Sequence, residues 1–220
     1  MSSTADPRRR RLIDIATQLG LALADADIAR LSSYLDLLQR WNRTYNLTAV
    51  RDPNQMLTQH LADCLAVIPP LHRQVSDAGS RRVLDVGSGA GLPGIVIATL
   101  LPHVDVTCVD TVGKKAAFIR QVAASLRLEN LHAEHARVEQ LQAGRFDVVT
   151  SRAFATLADF TALTRQHLAE GGVWLAMKGK DPAAECAGLR ADIDVFHVEQ
   201  LTVPGLDAAR CLVWMRPLPG

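Results

Sequence analysis

A glycine-rich loop follows a short apolar run near the middle of the chain. Residues 83–94 read VLDVGSGAGLPG and place Gly87, Gly89, Gly91 and Gly94 within eight positions. Because glycine has no Cβ and readily adopts positive φ, such a loop lets the backbone approach a ligand closely. The last three glycines have the G-x-G-x-x-G spacing of dinucleotide-binding proteins. We interpret the loop as a ligand site rather than as a plain tight turn.

The charges around this loop favour S-adenosylmethionine over a dinucleotide. A pyrophosphate needs amide donors and no carboxylate close by. Asp85 stands just before the glycines, the loop has no basic residue, and Pro93 removes one amide donor near the helix start. A carboxylate at that place suits the ammonium group of a methionine moiety. The loop residues expected to bind the cofactor are Asp85, Gly87, Ser88, Gly89 and Gly91.

Two further strand ends carry residues that suit the same cofactor. Asp110 ends a predicted strand, where a carboxylate accepts hydrogen bonds from ribose hydroxyls, caps the next helix, or does both. Val138 and Glu139 follow the third predicted strand. There we expect a backbone contact from Val138 and an acceptor from Glu139 beside the adenine, although a solvated helix start explains the spacing nearly as well.

The methyl acceptor is expected past the fourth predicted strand, where residues 151–154 read SRAF. This stretch has neither the Asn/Asp-Pro-Pro-aromatic motif used on adenine amines nor a cysteine that could attack a pyrimidine carbon. Arg152 and Phe154 could orient and stack on a base; the alternatives are a structural ion pair and a core contact. A ring nitrogen such as guanine N7 already has a free lone pair, so no catalytic base is predicted.

Basic residues are expected at the same end of the sheet. Together they would form a rim that contacts RNA phosphates, although each one alone is an ordinary solvated charge. The candidate RNA contacts are Arg8, Arg9, Arg10, Arg11, Lys114, Lys115, Lys178 and Lys180.

The elements that must position these residues change in type near residue 80. Residues 1–80 predict a helical extension, in which aspartate–proline pairs at 6–7 and 52–53 open helices and Pro69 and Pro70 end the last one. From residue 81 to 220, short β-branched runs alternate with helical segments, a pattern typical of a parallel sheet with helices on both faces. Strands are predicted at 83–86, 104–110, 130–135, 146–151 and 173–179, with helices near 94–101, 113–127, 156–168 and 182–190.

The chain ends in two further predicted strands, at 194–203 and 210–217, joined by a short loop. The fold class is therefore predicted as α/β. The strand count resembles the Rossmann-like class I S-adenosylmethionine-dependent methyltransferases, whose seven-stranded sheet is mostly parallel with an antiparallel C-terminal strand. We expect residues 81–220 to form one compact methyltransferase domain that carries the helical extension 1–80.

Composition limits the remaining possibilities. The formal net charge of +1 gives no bulk support to a nucleic-acid partner. The four cysteines have no C-x-x-C or metal-like spacing, so we expect reduced thiols and no metal. No apolar run approaches the length of about 20 residues that spans a bilayer. We expect a soluble cytoplasmic protein with no membrane partner.

The chain resembles the RsmG (GidB) family of bacterial 16S ribosomal RNA guanine-N7 methyltransferases. The resemblance implies that Gly87, Leu92, Val138, Glu139 and Arg152 contact S-adenosylmethionine. It also implies a monomer that acts on 16S rRNA, presented on the assembled small ribosomal subunit. The matching pieces, in family order, are WNRTYNLTAVRDP (41–53), HLADCL (60–65), LDVGSGAGLPGI (84–95), DTVGKKAAFIRQV (110–122), ARVEQL (136–141), SRAFATL (151–157) and MKGK (177–180).

Several alternatives stay open at this point. His60 and Asp63 either face the acceptor site or pack within a helix. Asn46 and Thr48 are expected to lock the extension onto the sheet rather than to contact RNA. A small-molecule or protein methyl acceptor, an NAD-type dehydrogenase and a non-catalytic RNA-binding role are the competing functions.

Overall fold

The helical extension begins where its aspartate caps predict. The computed structural model describes residues 6–75, 81–179 and 181–218. The Asp6 carboxylate accepts the Arg8 N–H at 3.0 Å, and Asp52 accepts the N–H of Asn54 at 2.9 Å. The helices are α1 (Pro7–Gln18), α2 (Asp25–Tyr45), α3 (Pro53–Met56), a π-helical turn (Leu57–Ala62), α4 (Asp63–Leu65) and α5 (Ile68–Val75).

Pro69 and Pro70 do not end a helix, contrary to the sequence expectation. The preceding helix ends at Leu65, and both prolines lie in the first turn of α5. The first N–H groups of a helix have no partner within it, so prolines without an N–H are tolerated there. The two residues therefore open a helix rather than end one.

Among the described residues, those from Arg81 onward form one seven-stranded sheet with helices between its strands. Strands β1 to β5 are parallel, and β7 is antiparallel to both β5 and β6, in the order β3-β2-β1-β4-β5-β7-β6. The strands are β1 (Arg81–Val86), β2 (Val104–Asp110), β3 (Leu131–His135), β4 (Phe146–Arg152), β5 (Leu168–Lys178), β6 (Ile193–Leu201) and β7 (Arg210–Pro217). The helices between them are α6 (Gly94–Leu100), α7 (Gly113–Leu126), α8 (Leu157–Thr164) and α9 (Ala183–Ala187).

Two helix predictions are too long, and one strand prediction is too short. The helix expected over 156–168 ends at Thr164 and is followed by a 3₁₀ turn, Arg165–His167. The helix expected over 182–190 has five residues. Strand β5 starts five residues before its predicted start because it includes Gly171 and Gly172, which the sequence pattern treats as strand breakers.

Side chains alternate between the two faces of the sheet, and each face has its own core. Val83 of β1 belongs to the same buried cluster as Leu31 of α2 and Phe118 of α7, whereas its neighbour Leu84 belongs to a second cluster with Trp174 and Phe160. The extension thus buries its apolar side chains in the same core as α6 and α7. We keep residues 81–220 as the proposed methyltransferase domain, with 1–80 as an extension that shares its core.

A buried tyrosine joins the extension to the glycine-rich loop. Tyr34 of α2 is fully buried, and its hydroxyl donates to the Ala90 carbonyl at 3.1 Å. Its ring centroid lies 6.2 Å from that of Phe118, whose ring also contacts Trp41 at 5.5 Å. Burial raises the pKa of the Tyr34 hydroxyl, so it stays protonated as a donor. The extension therefore helps to fix the loop.

We predict that Tyr34→Phe lowers the free energy of unfolding by about 1–3 kcal/mol, because the buried Ala90 carbonyl loses its hydroxyl donor. Urea denaturation measures this change. Tyr45, which is 43% exposed, provides the matched control. Tyr45→Phe is expected to change the same free energy by less than about 0.5 kcal/mol, and equal effects of the two substitutions would contradict the role given to Tyr34.

Candidate functional site

The glycine-rich loop lies where the strand order reverses, between β1 and β4, at the carboxyl ends of the parallel strands. Ligands of open α/β sheets bind at this point. The N–H groups of Gly87 and Ser88 both donate to the Val109 carbonyl, at 2.9 and 3.2 Å. The Gly89 N–H donates to Asp110 Oδ2 at 2.9 Å. The loop is therefore tied to the end of β2 by its own amides.

Two cavities meet at this loop and share Gly87 and Ala153 as lining residues. The first, here called the Asp63 cavity, has a volume of about 400 Å³. The second, the Asp110 cavity, has a volume of about 230 Å³. Together they form a groove of the size that small-molecule ligands occupy, which is roughly 300–1,000 Å³. An elongated ligand could lie across the loop with one end in each cavity.

Asp110 lines its cavity and does not cap the next helix, because the N-cap of α7 is Val112 and no side chain caps it. The carboxylate is 6% exposed, and its Oδ1 accepts the Val112 N–H at 2.9 Å, just before α7. Lys115 Nζ lies 3.6 Å from Oδ2. Each carboxylate oxygen can accept more than one hydrogen bond, so both retain acceptor capacity for a ligand hydroxyl.

Asp85 does not face either cavity, which corrects the expectation that it binds the ligand directly. The side chain is fully buried, and Oδ2 accepts the Gly94 N–H at 2.8 Å. Burial raises the pKa of this carboxyl to about 7, while Oδ1 has no partner among the described residues. Asp85 instead joins the end of the loop to α6. Gly91 also lines neither cavity, because it packs against Ile95.

Val138 and Glu139, predicted as neighbours in one site, lie on different surfaces. Val138 is 5% exposed and lines the Asp110 cavity. The Glu139 side chain is exposed and lines a separate concavity with Arg145 and Gln166. The Glu139 carboxylate therefore does not accept a hydrogen bond from an adenine in the Asp110 cavity, contrary to the sequence expectation. Only the backbone of Glu139 comes near that cavity, through its neighbour Val138.

The Asp63 cavity contains a buried carboxylate with two arginine partners. Asp63 is 3% exposed; its Oδ1 accepts Arg210 Nε at 2.9 Å, and its Oδ2 lies 3.4 Å from Arg152 Nη1. The same Arg152 nitrogen donates to the Gln59 carbonyl at 3.2 Å. The cluster joins the extension, β4 and β7, and its two guanidiniums outnumber its one carboxylate. Arg210 was missed by sequence reasoning because no motif surrounds it.

His60 is a second polar side chain of this cavity, and it is neutral. Its Nε2 lies 2.9 Å from Thr48 Oγ1, and Thr48 also lines the cavity. Burial and the positive charge of Arg152 lower the pKa of His60 to about 4. Asn42 accepts the Thr48 N–H at 2.9 Å, so Thr48 both locks the extension and faces the site.

The SRAF segment divides its side chains between the two cavities. Arg152 lines the Asp63 cavity, whereas Phe154 lines the Asp110 cavity and packs edge-on to Phe160 at 6.5 Å. Between them, Ala153 has a φ of 53°, a strained conformation for a residue with a Cβ. The predicted base-stacking role of Phe154 is thus corrected: the ring lies on the side of Asp110, against Gly87.

Two of the lysines predicted to contact RNA form ion pairs within the protein. Lys178 lines the Asp63 cavity and donates to Glu185 at 2.8 Å, and Lys115 belongs to the Asp110 cavity. Lys114 is exposed, and Lys180 lies outside the described residues.

The four N-terminal arginines lie on α1, and three of them have partners. Arg8 pairs with Asp36, Arg9 with Asp25, and Arg11 with Thr58, while Arg10 is exposed. Their contact with RNA stays a prediction.

Comparison with known proteins decides the family. The family model described as GidB, rRNA small subunit methyltransferase G, matches residues 27–213. The chain belongs to this family. It is 62% identical over 210 residues to the ribosomal RNA small subunit methyltransferase G of Acidovorax sp. (strain JS42), covering 92% of each chain. The protein of the same name from Leptothrix cholodnii is 63% identical over 211 residues, covering 96% of each.

Solved structures support the predicted class I methyltransferase fold. TrmN from Thermus thermophilus aligns with a TM-score of 0.57 at 19% identity, over 74% of this chain and 53% of that one. The N-methyltransferase NodS from Bradyrhizobium japonicum, solved with S-adenosyl-L-homocysteine, aligns with a TM-score of 0.56 at 17% identity, over 82% of this chain and 98% of that one.

The described residues include neither a metal-binding cluster nor a membrane-spanning helix. They contain no group of side chains that could hold a metal ion. Nor does any helix among them have the length and apolar character needed to cross a membrane.

We predict that Gly87→Ala weakens cofactor binding while the protein stays folded. A Cβ at Gly87, where φ is 65°, would lie 2.5 Å from Phe154 Cδ2 and push the ring or the loop into the groove. Gly171→Ala is the matched control, because Gly171 has a φ of 70° and open space around its added Cβ. Both variants are expected to lose about 1–2 kcal/mol of stability through backbone strain.

Calorimetry with S-adenosylhomocysteine separates the two variants. Gly171→Ala should bind like the wild type, and Gly87→Ala should bind at least about tenfold more weakly, a loss of about 1.4 kcal/mol. Unchanged affinity in a folded Gly87→Ala protein would contradict the position of the groove.

Proposed function

We propose that this chain transfers the methyl group of S-adenosylmethionine to N7 of a guanine in the 16S rRNA of the small ribosomal subunit. The family membership supports methyl transfer, and the name of the relatives, ribosomal RNA small subunit methyltransferase G, supports the substrate. The observation that carries the proposal is the groove itself. It joins the Asp110 cavity to the Asp63 cavity, where two arginines surround one paired carboxylate and the unpartnered Nδ1 of His60 is buried.

The bonding of the loop amides argues for this cofactor over a dinucleotide. A pyrophosphate would need the N–H groups of the loop, yet those of Gly87, Ser88 and Gly89 already donate to β2. Asp110 offers acceptor capacity to ribose hydroxyls, and Val138 provides an apolar wall beside it. When bound, S-adenosylmethionine supplies an electrophilic methyl group on a positively charged sulfur.

The Asp63 cavity suits an acceptor that needs no deprotonation. Asp63 is held in two ion pairs, and His60 is neutral but bonded through Nε2 to Thr48. The other ring nitrogen of His60, Nδ1, has no partner among the described residues but is buried, so neither group presents an accessible basic atom to a substrate. Guanine N7 has an exposed lone pair, so the task left to these residues is to orient the base and exclude water. Arg152 and Arg210, with their excess positive charge, can attract the RNA backbone.

The proposed function also includes the oligomeric state, the cellular compartment and the surface that contacts RNA. We propose that the chain works as a monomer in the cytoplasm, where assembled small subunits are present, with the rim of basic residues contacting rRNA phosphates. Among the described members of that rim, Arg10, Arg11 and Lys114 are exposed.

Calorimetry with two ligands tests the cofactor. The wild type is expected to bind S-adenosylhomocysteine and not NADH. Asp110→Ala should weaken S-adenosylhomocysteine binding by about tenfold or more, because the ribose hydroxyls lose a charged acceptor worth about 1.5–3 kcal/mol. The control is Asp105→Ala, also on β2 but paired with His132 outside both cavities, and it should bind normally. Tight NADH binding without S-adenosylhomocysteine binding would contradict the proposal.

A further inference from the structure

We propose that His167 is a positioning residue for the cofactor's adenine, acting through the peptide between Val138 and Glu139. The inference rests on the proposed function, because it assumes that the adenosine end of S-adenosylmethionine lies in the Asp110 cavity. His167 lines neither that cavity nor the Asp63 cavity, so it cannot contact the cofactor from its observed position. Its influence must pass through the backbone that it holds.

The contact between His167 and the backbone is short and buried. His167 is 3% exposed, and its Nε2 lies 2.6 Å from the Val138 carbonyl oxygen. A carbonyl oxygen only accepts, so Nε2 must carry the hydrogen. The Leu141 N–H reaches the same oxygen at 3.2 Å. The carbonyl therefore has two donors and a fixed direction.

The direction of this carbonyl determines where the next N–H points. In a trans peptide the C=O and the following N–H are antiparallel and lie in one plane. The Glu139 N–H therefore points away from His167, and our proposal places it toward the Asp110 cavity, which the preceding residue Val138 lines. Adenine presents ring nitrogens that accept hydrogen bonds, and a backbone N–H in this place is a suitable donor. This gives Glu139 a role through its backbone rather than its exposed carboxylate.

The neighbouring peptide is held from the same side. Gln166 Nε2 donates to the Glu139 carbonyl at 3.0 Å. Gln166 and His167 belong to the 3₁₀ turn that links α8 to β5. Just before this turn, the buried Thr164 hydroxyl accepts Trp174 Nε1 at 2.8 Å, which anchors the turn to the sheet. The rigid core thus sets two consecutive peptide planes at the edge of the cavity.

Two substitutions at His167 separate positioning from packing. A glutamine side chain can place an amide N–H near the position of Nε2, whereas leucine fills similar space without a donor. We expect His167→Leu to raise the dissociation constant of S-adenosylhomocysteine about tenfold, the effect of one hydrogen bond. His167→Gln should stay within about threefold of the wild type. In methyl-transfer assays, the leucine variant should raise KM for S-adenosylmethionine about tenfold and leave kcat within about twofold.

A control histidine and a second His167 variant complete the experiment. His132 is an exposed histidine of β3, and His132→Leu should not change affinity. Should His167→Leu fail to fold, His167→Asn replaces it, because asparagine is too short to reach the Val138 carbonyl. Wild-type affinity in a folded leucine or asparagine variant would overturn the inference, as would a glutamine variant no better than leucine. Failure of the wild type itself to bind S-adenosylhomocysteine would instead contradict the proposed function.

Discussion

The buried carboxylate of Asp63 is the interaction on which the arrangement of the site depends. A carboxylate that is 3% exposed is stable only when it is paired, and Arg152 and Arg210 supply the pairing from two different strands. These contacts fix the extension against the carboxyl end of the sheet and close one side of the groove. The guanidiniums, which are 23% and 25% exposed, stay open to a substrate. One cluster thus serves both packing and substrate binding.

In the glycine-rich loop, some residues hold the loop in place and others face the ligand groove. Asp85 and Gly91 point into the protein and hold the loop to α6, while Gly87 and Gly89 face the groove. The loop amides are bonded to β2, which leaves carboxylate and apolar surfaces for the ligand. A literal G-x-G-x-x-G spacing is therefore compatible with a cofactor that has no phosphate. Which ligand the loop binds depends on which of its backbone N–H groups remain free to donate a hydrogen bond.

The sequence predicted the sheet, its antiparallel end and the loop, because strand alternation and glycine spacing are local patterns. It could not predict the pair of Asp63 with Arg210, which are 147 residues apart and meet only through the fold. It predicted that Asp85 binds the ligand, because a short motif does not show that the side chain is fully buried. Phe154 and Glu139 were placed in the right segments but on the wrong surfaces, because Phe154 lies beyond the end of β4 and Glu139 in a 3₁₀ turn, where the alternation of a strand does not set side-chain directions.

The central claim is that this groove presents a methyl group to guanine N7 in small-subunit rRNA. The most direct test is chemical cleavage at 7-methylguanosine in 16S rRNA from a strain that lacks this protein and from the same strain supplied with it. One cleavage site should be lost without the protein and restored by the wild type. Identical cleavage patterns in the two strains would contradict it.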